Sequence, residues 1–225
     1  YMHALPRTMS GRQCGKKSNH GLNYDERFRT FALMNEIPEN EAKRIIELYH
    51  SIYPGIRNSY YEWVKMQLSK DRMLENCFGR RIRFLDSWGD QLFKAAYSAI
   101  PQSTVVDSLN QGMRQIYFDE KITSTKHANI DLLGQVHDSI LFQFPISLLK
   151  FPDTVRKLVE KIYAYLSPEL EYFGRKFRIA TDAKVGFNWS GYHKEFNPRG
   201  MMELKPWSNP GEFAKQLKDA THGRF

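Results

Sequence analysis

An α+β fold, helical first and mixed later, is what this sequence predicts, and three features predict it. Apolar residues recur at helical spacing through the first third of the chain. Further on, short apolar runs flank turn residues in the manner of β-hairpins. The 225 residues are 41% hydrophobic and 14% aromatic, which is enough apolar surface to bury a core. Ala95–Val106 and Ser139–Leu149 are the longest stretches free of Asp, Glu, Lys and Arg. Both fall short of the roughly 18–20 apolar residues of a membrane span, so no membrane partner is expected. Two cysteines, Cys14 and Cys77, are too few for a disulfide framework or a zinc cluster, and no signal-peptide pattern opens the chain. A reducing, intracellular setting follows. The 33 Lys and Arg against 25 Asp and Glu leave a formal charge of +8, a hint of a polyanionic partner.

The elements follow in order. No acid stands between Tyr1 and Tyr24, while Arg7, Arg12, Lys16 and Lys17 are all basic. Ala42, Ile45, Ile46, Tyr49, Ile52 and Tyr53 predict a helix opened near Pro38 and stopped at Pro54-Gly55. Ile56, Tyr60, Trp63 and Val64 predict another. Alternation about Gly79 in Cys77–Phe84 reads as a small hairpin with three arginines and a strongly basic exposed face. Gln91 to Tyr117 is compatible with helix, and Pro101 should start a new helix or kink the old one. In Asn129–Pro145, apolar runs flank His137-Asp138-Ser139, which places this trio at a hairpin tip. Val155, Leu158, Val159 and Ile162 give a further amphipathic helix, and Phe177 to Phe187 alternate as one strand. From Asn197 the prolines and glycines read as an irregular extension ending in a short helix. No internal repeat is present.

Two constellations carry chemistry. Arg12, Lys16, His20 and Tyr24 are spaced by four, and each step advances about 40° around a helix, so they form a slowly winding stripe. Two cations followed by two rings suit a nucleotide laid lengthwise, phosphates on the charges and sugar and base against the rings. Taken alone, the same spacing also describes a solvated basic helix edge. Asp138 is a carboxylate between apolar strands, where burial costs free energy unless a cation compensates it. A divalent metal is one such cation, and an Asp bonding its own turn is the more ordinary alternative. The seven histidines form no zinc-ligand pattern. Cys14, between Arg12 and Lys16, is better read as a free cysteine than as a catalytic thiol. The aromatic stripe Tyr49, Tyr53, Tyr60, Tyr61 and Trp63 reads as packing.

In combination these residues resemble the C-terminal, fingers and palm part of a family A DNA polymerase. Arg12-x-x-x-Lys16-x-x-Asn19-His20-Gly21-x-x-Tyr24 is similar to the fingers-helix motif. Phe78-Gly79-Arg80-Arg81, Pro101 to Asp107, Gln135-Val136-His137-Asp138 and Asp182-x-Lys184-x-Gly186-x-Asn188-Trp189 follow in the family's order, from about Tyr1 to Glu195. The resemblance implies mostly helical fingers inserted into an antiparallel-sheet palm: residues 1–70 as fingers, 71–196 as palm and 197–225 as a C-terminal extension. It implies template-directed transfer from dNTPs to a primer 3′-OH with two Mg²⁺ ions, one activating the hydroxyl and one neutralising the triphosphate. Arg12 and Lys16 would bind the triphosphate, with Lys16 also a general acid toward pyrophosphate. His20 would lie beside sugar and base, and Tyr24 near the templating pair. Asp138 would ligate metal, His137 would meet the primer end, Gln102 the minor groove, and Arg80 and Arg81 the duplex backbone.

Four departures stand out. His20 replaces a Phe or Tyr, Asp25 a Gly, Ser98 an Asn one turn before Gln102, and Ser139 the Glu after the palm Asp. His-Asp-Ser with Arg-x-x-x-Lys also resembles the single-subunit RNA polymerases of phages and mitochondria, whereas Asn19-His20-Gly21 and the Asp182–Trp189 ending are closer to the DNA polymerases. A noncatalytic DNA-binding subunit is the rival from another class. The family's second metal-binding Asp and its thumb find no counterpart here, and the chain opens on Tyr1. The expectation is therefore an N-terminal piece in the family's order that carries both, whether a split-gene partner, a product of cleavage or further sequence of the same chain. Primer-template DNA and dNTPs would be the other partners, in the cytoplasm of a bacterium or phage-infected cell, or in an organelle.

Overall fold

The computed structural model describes residues 10–123, 130–205 and 209–221. The opening residues, with Tyr1 and Arg7, and also Asn129 and Pro206, lie outside that range. The chain divides into two compact units, Tyr1–Ser103 and Thr104–Phe225.

In the first unit, α1 (Gly11–Asn23) starts at a capping box: the Gln13 backbone N–H donates to Ser10 Oγ and the Ser10 N–H to Gln13 Oε1. Helices α2 (Phe28–Asn35) and α3 (Glu39–Ile52) follow. Leu22, Phe31, Ala32, Ile37, Ala42 and Ile46 form their shared core. Helix α2 carries no clean apolar stripe. Its inward face, Phe28, Phe31, Ala32 and Asn35, has helical spacing but includes a polar residue. Burying Asn35 is tolerated because its Nδ2 donates to Phe31 O at 2.9 Å and its Oδ1 accepts from Cys14 Sγ at 3.3 Å.

A π-helical segment, Ile56–Tyr61, runs into α4 (Glu62–Asp71). The arginine hairpin follows as β1 (Met73–Glu75) and β2 (Arg81–Arg83), antiparallel with Leu74 opposite Ile82. Buried Asn76 organises its turn. The Asn76 Oδ1 accepts the backbone N–H groups of Phe78 and Arg80, its Nδ2 donates to Ser103 Oγ, and Gly79 supplies the positive φ of +79°. The exposed face is less basic than expected, because Arg81 is paired with Glu75 across the strands at 2.8 Å.

Pro101 neither starts nor ends a helix: α5 runs unbroken from Asp90 to Phe118. A proline there removes the N–H that would bond the carbonyl of Tyr97. Tyr60 replaces it, donating its hydroxyl to Tyr97 O at 2.8 Å. The expected result of Tyr60→Phe is a loss of about 1–2 kcal/mol, the cost of an orphaned carbonyl, measured by urea unfolding. An unchanged midpoint would remove this explanation. Tyr61, 4% exposed, stacks on Tyr97 at 3.8 Å between ring centroids, and burial pushes the Tyr97 hydroxyl up to about 12. Packing thus accounts for Tyr61, whereas Tyr53 of the same aromatic stripe is exposed.

The second unit comprises the rest of α5, α6 (Glu120–Thr123), β3 (Asp131–Val136), β4 (Ser139–Gln143), a 3₁₀ turn (Ile146–Lys150), α7 (Pro152–Leu166), β5 (Glu169–Tyr172), β6 (Arg175–Arg178), β7 (Lys184–Val185), β8 (Met202–Glu203) and α8 (Pro210–Ala220). Each strand pairs antiparallel with one other: β3 with β4, β5 with β6, β7 with β8. The single strand expected over Phe177–Phe187 is instead two, because β6 ends at Arg178 and β7 begins at Lys184. Between them Ser167 Oγ donates to Ile179 O at 2.7 Å and lies 2.8 Å from Thr181 Oγ1, which ties the chain to the end of α7 and takes it out of the ladder. The tail from Asn197 is not peripheral. Leu204, Phe213, Leu217 and Ala220 join Leu109, Ile116, Leu148 and Val155 in the core of this unit.

Candidate functional site

Helix α1 presents the predicted stripe. Arg12, Lys16 and His20 are exposed and Tyr24, the C-cap, is half-buried. Among the described residues no acid pairs with Arg12 or Lys16, so both charges are available to a ligand. The His20 and Tyr24 rings meet edge-on at 5.0 Å, as a step of four on one helical face requires.

The C-terminal end of α1 is pinned from outside. Tyr49 donates to Asn19 Oδ1 at 2.7 Å and lies 3.1 Å from Asn23 Oδ1, and the Tyr61 hydroxyl reaches the carbonyls of Leu22 and Asn23 at 3.1 and 3.0 Å. Gly21 serves close approach: the Glu26 carboxylate lies where a Cβ would stand, and burial there raises the Glu26 pKa. These contacts escaped sequence reading because each partner is set by tertiary packing. The only local signal was the pair of asparagines four residues apart on α1.

His137 and Asp138 are the two turn residues between Val136 and Ser139, the last register pair of β3 and β4. His137 has φ +53°, and positive φ at the first of two turn residues suits the right-handed twist of a hairpin. The expected desolvation of Asp138 is not found. Asp138 is exposed and its flanking strands are at most half-buried, with a register irregularity between Leu132 and Gly134. The Asx-turn alternative is not found either, because among the described residues nothing hydrogen-bonds its carboxylate. An exposed, unpaired carboxylate on a fixed turn fits a hard divalent cation as one ligand. It does not complete a site: among the described residues no three His, Cys, Asp or Glu side chains gather to hold a metal.

Arg12, Lys16, His20, Tyr24, Arg80, Arg81 and Gln102 belong to the first unit, and His137 and Asp138 to the second. Gln102 is exposed on α5, and Ser98, a turn before it, donates to Ala95 O at 3.0 Å. Among the described residues no helix is long and apolar enough to cross a membrane.

A family model described as DNA polymerase family A matches residues 5–191. The chain belongs to DNA polymerase family A. The chain is 27% identical over 195 residues to DNA polymerase I of Rhizobium leguminosarum, an alignment that covers 81% of the chain and 18% of the relative. It spans less than a fifth of that relative's length. In fold it is similar to the POL domain of Pol1 from M. smegmatis, solved in complex with DNA primer-template and dNTP. That likeness has a TM-score of 0.57 and 24% identity, over 69% of the chain and 27% of the solved one. The mixed architecture of helices and small antiparallel strands is therefore that of part of a family A polymerase domain. Residues 192–225, which include β8 and α8, lie beyond the family match.

Proposed function

We propose that this chain contributes nucleotide binding and one metal ligand to template-directed DNA synthesis. The observation that carries the reading is the stripe of α1: two exposed cations without acidic partners among the described residues, followed by an edge-on ring pair, in a chain of DNA polymerase family A. Arg12 and Lys16 hold the triphosphate of an incoming dNTP through charge-assisted hydrogen bonds. Lys16 also delivers a proton to the leaving pyrophosphate. His20 lies against sugar and base, and Tyr24 borders the templating pair. Arg80, Arg81 and Gln102 contact duplex DNA, and His137 the primer end. Asp138 would hold Mg²⁺ as one of its ligands, and the ion would supply acidification of the primer hydroxyl and neutralisation of phosphate charge. The remaining ligands and the thumb come from polymerase sequence that completes the palm, on a separate polypeptide or continuous with this one. In this reading residues 1–70 are fingers, 71–196 palm and 197–225 an extension.

The test is primer extension by the chain combined with that completing polypeptide. Activity is expected of the mixture and not of the chain alone. Lys16→Ala should raise the dNTP concentration for half-maximal rate about tenfold or more, the scale of one lost charged hydrogen bond. Duplex binding that falls steeply with salt but ignores dNTP would favour a noncatalytic DNA-binding role instead.

A further inference from the structure

We propose that Tyr49, outside the stripe that would meet nucleotide, is a positioning residue that sets the rotation of α1 about its own axis. The inference rests on the nucleotide reading of α1. Its ground is the hydroxyl seated between Asn19 and Asn23, at 2.7 and 3.1 Å from their side-chain oxygens. On a helix, Asn19 lies about 60° around from Lys16, and Asn23 about 60° from His20. The two asparagines therefore form a ridge directly beside the ligand stripe and parallel to it.

The other contacts of α1 are of a different kind. Leu22 is the one buried residue of α1 among those described, and the Tyr61 hydroxyl bonds backbone carbonyls, which fixes the end of the helix more than its roll. Toward the start, Cys14 to Asn35 is a weak thiol bond. At a side-chain radius of roughly 5–6 Å, a roll of about 10° moves a side-chain atom by about 1 Å, and a misplacement of that size costs up to about 10²-fold in a reaction that depends on alignment. The Tyr49 ring is itself held, edge-on to His50 at 5.4 Å and tilted on Tyr53 at 5.0 Å, so removing the hydroxyl leaves its packing in place.

The experiment titrates dATP with Mg²⁺ into the full chain by equilibrium dialysis. It compares wild type with Tyr49→Phe, Lys16→Ala, and Leu68→Val, a core change that lowers stability elsewhere in the same unit. Tyr49→Phe is expected to bind five- to tenfold more weakly, and Leu68→Val within twofold of wild type. The side-chain amide resonances of Asn19 and Asn23 are expected to move in Tyr49→Phe. Weakened Lys16→Ala beside unchanged Tyr49→Phe overturns this inference alone. Lys16→Ala binding as tightly as wild type overturns the nucleotide reading and this inference with it.

Discussion

Asp138→Asn is expected to lower primer extension by the completed polymerase about 10³-fold while leaving the fold intact. The substitution keeps the shape of the turn and removes a formal negative charge. That charge is exposed and has no partner among the described residues, so little folding energy depends on it. What it would supply is affinity for a divalent ion. Metal-assisted stabilisation of transition-state charge is worth several kcal/mol, and about 4 kcal/mol corresponds to about 10³ in rate. The check pairs single-turnover extension with circular dichroism. Robust synthesis by Asp138→Asn would end the assignment of this turn as a metal ligand.

Phe213→Ala carries the largest expected stability effect, a loss of about 3–5 kcal/mol in the second unit, read by urea unfolding. Phe213 is 0% exposed on α8 and packs with Leu217 and Ala220 into the same core as α7. The helix is fixed at its start, where Asn209 Oδ1 accepts from the Glu212 N–H at 3.2 Å, and at its end, where Thr221 Oγ1 donates to Leu217 O at 2.8 Å. All of these residues lie beyond the family match at 191. A cost under 1 kcal/mol would show that the extension is dispensable to the fold.

The sequence was most legible where the relevant periodicity is covalent. A step of four places Arg12, Lys16, His20 and Tyr24 along one helical face whatever surrounds them, and the ring contact in α1 bears this out. His137-Asp138-Ser139 between two apolar runs likewise read as a hairpin tip, of which His137 and Asp138 form the turn and Ser139 opens β4. Reading failed where a partner far along the chain decides the outcome. Of the two outcomes expected at Pro101, a new helix start is not the one the chain takes, because a hydroxyl 37 residues from the orphaned carbonyl supplies the missing bond. The alternation in Phe177–Phe187 was real, but a strand needs a neighbour, and the neighbours available were β5 for its first part and β8 for its last.

The amino-acid sequence by itself determined the family, the order of its motifs and the face on which the two α1 cations stand, because these depend on spacing within a helix or a turn. Only the tertiary structure decided that Asp138 is exposed, that the tail builds the core, and that Tyr49 and Tyr61 hold α1. Those outcomes depend on which atoms meet across the fold: a hydroxyl has one proton and no periodicity, and burial belongs to the assembled surface.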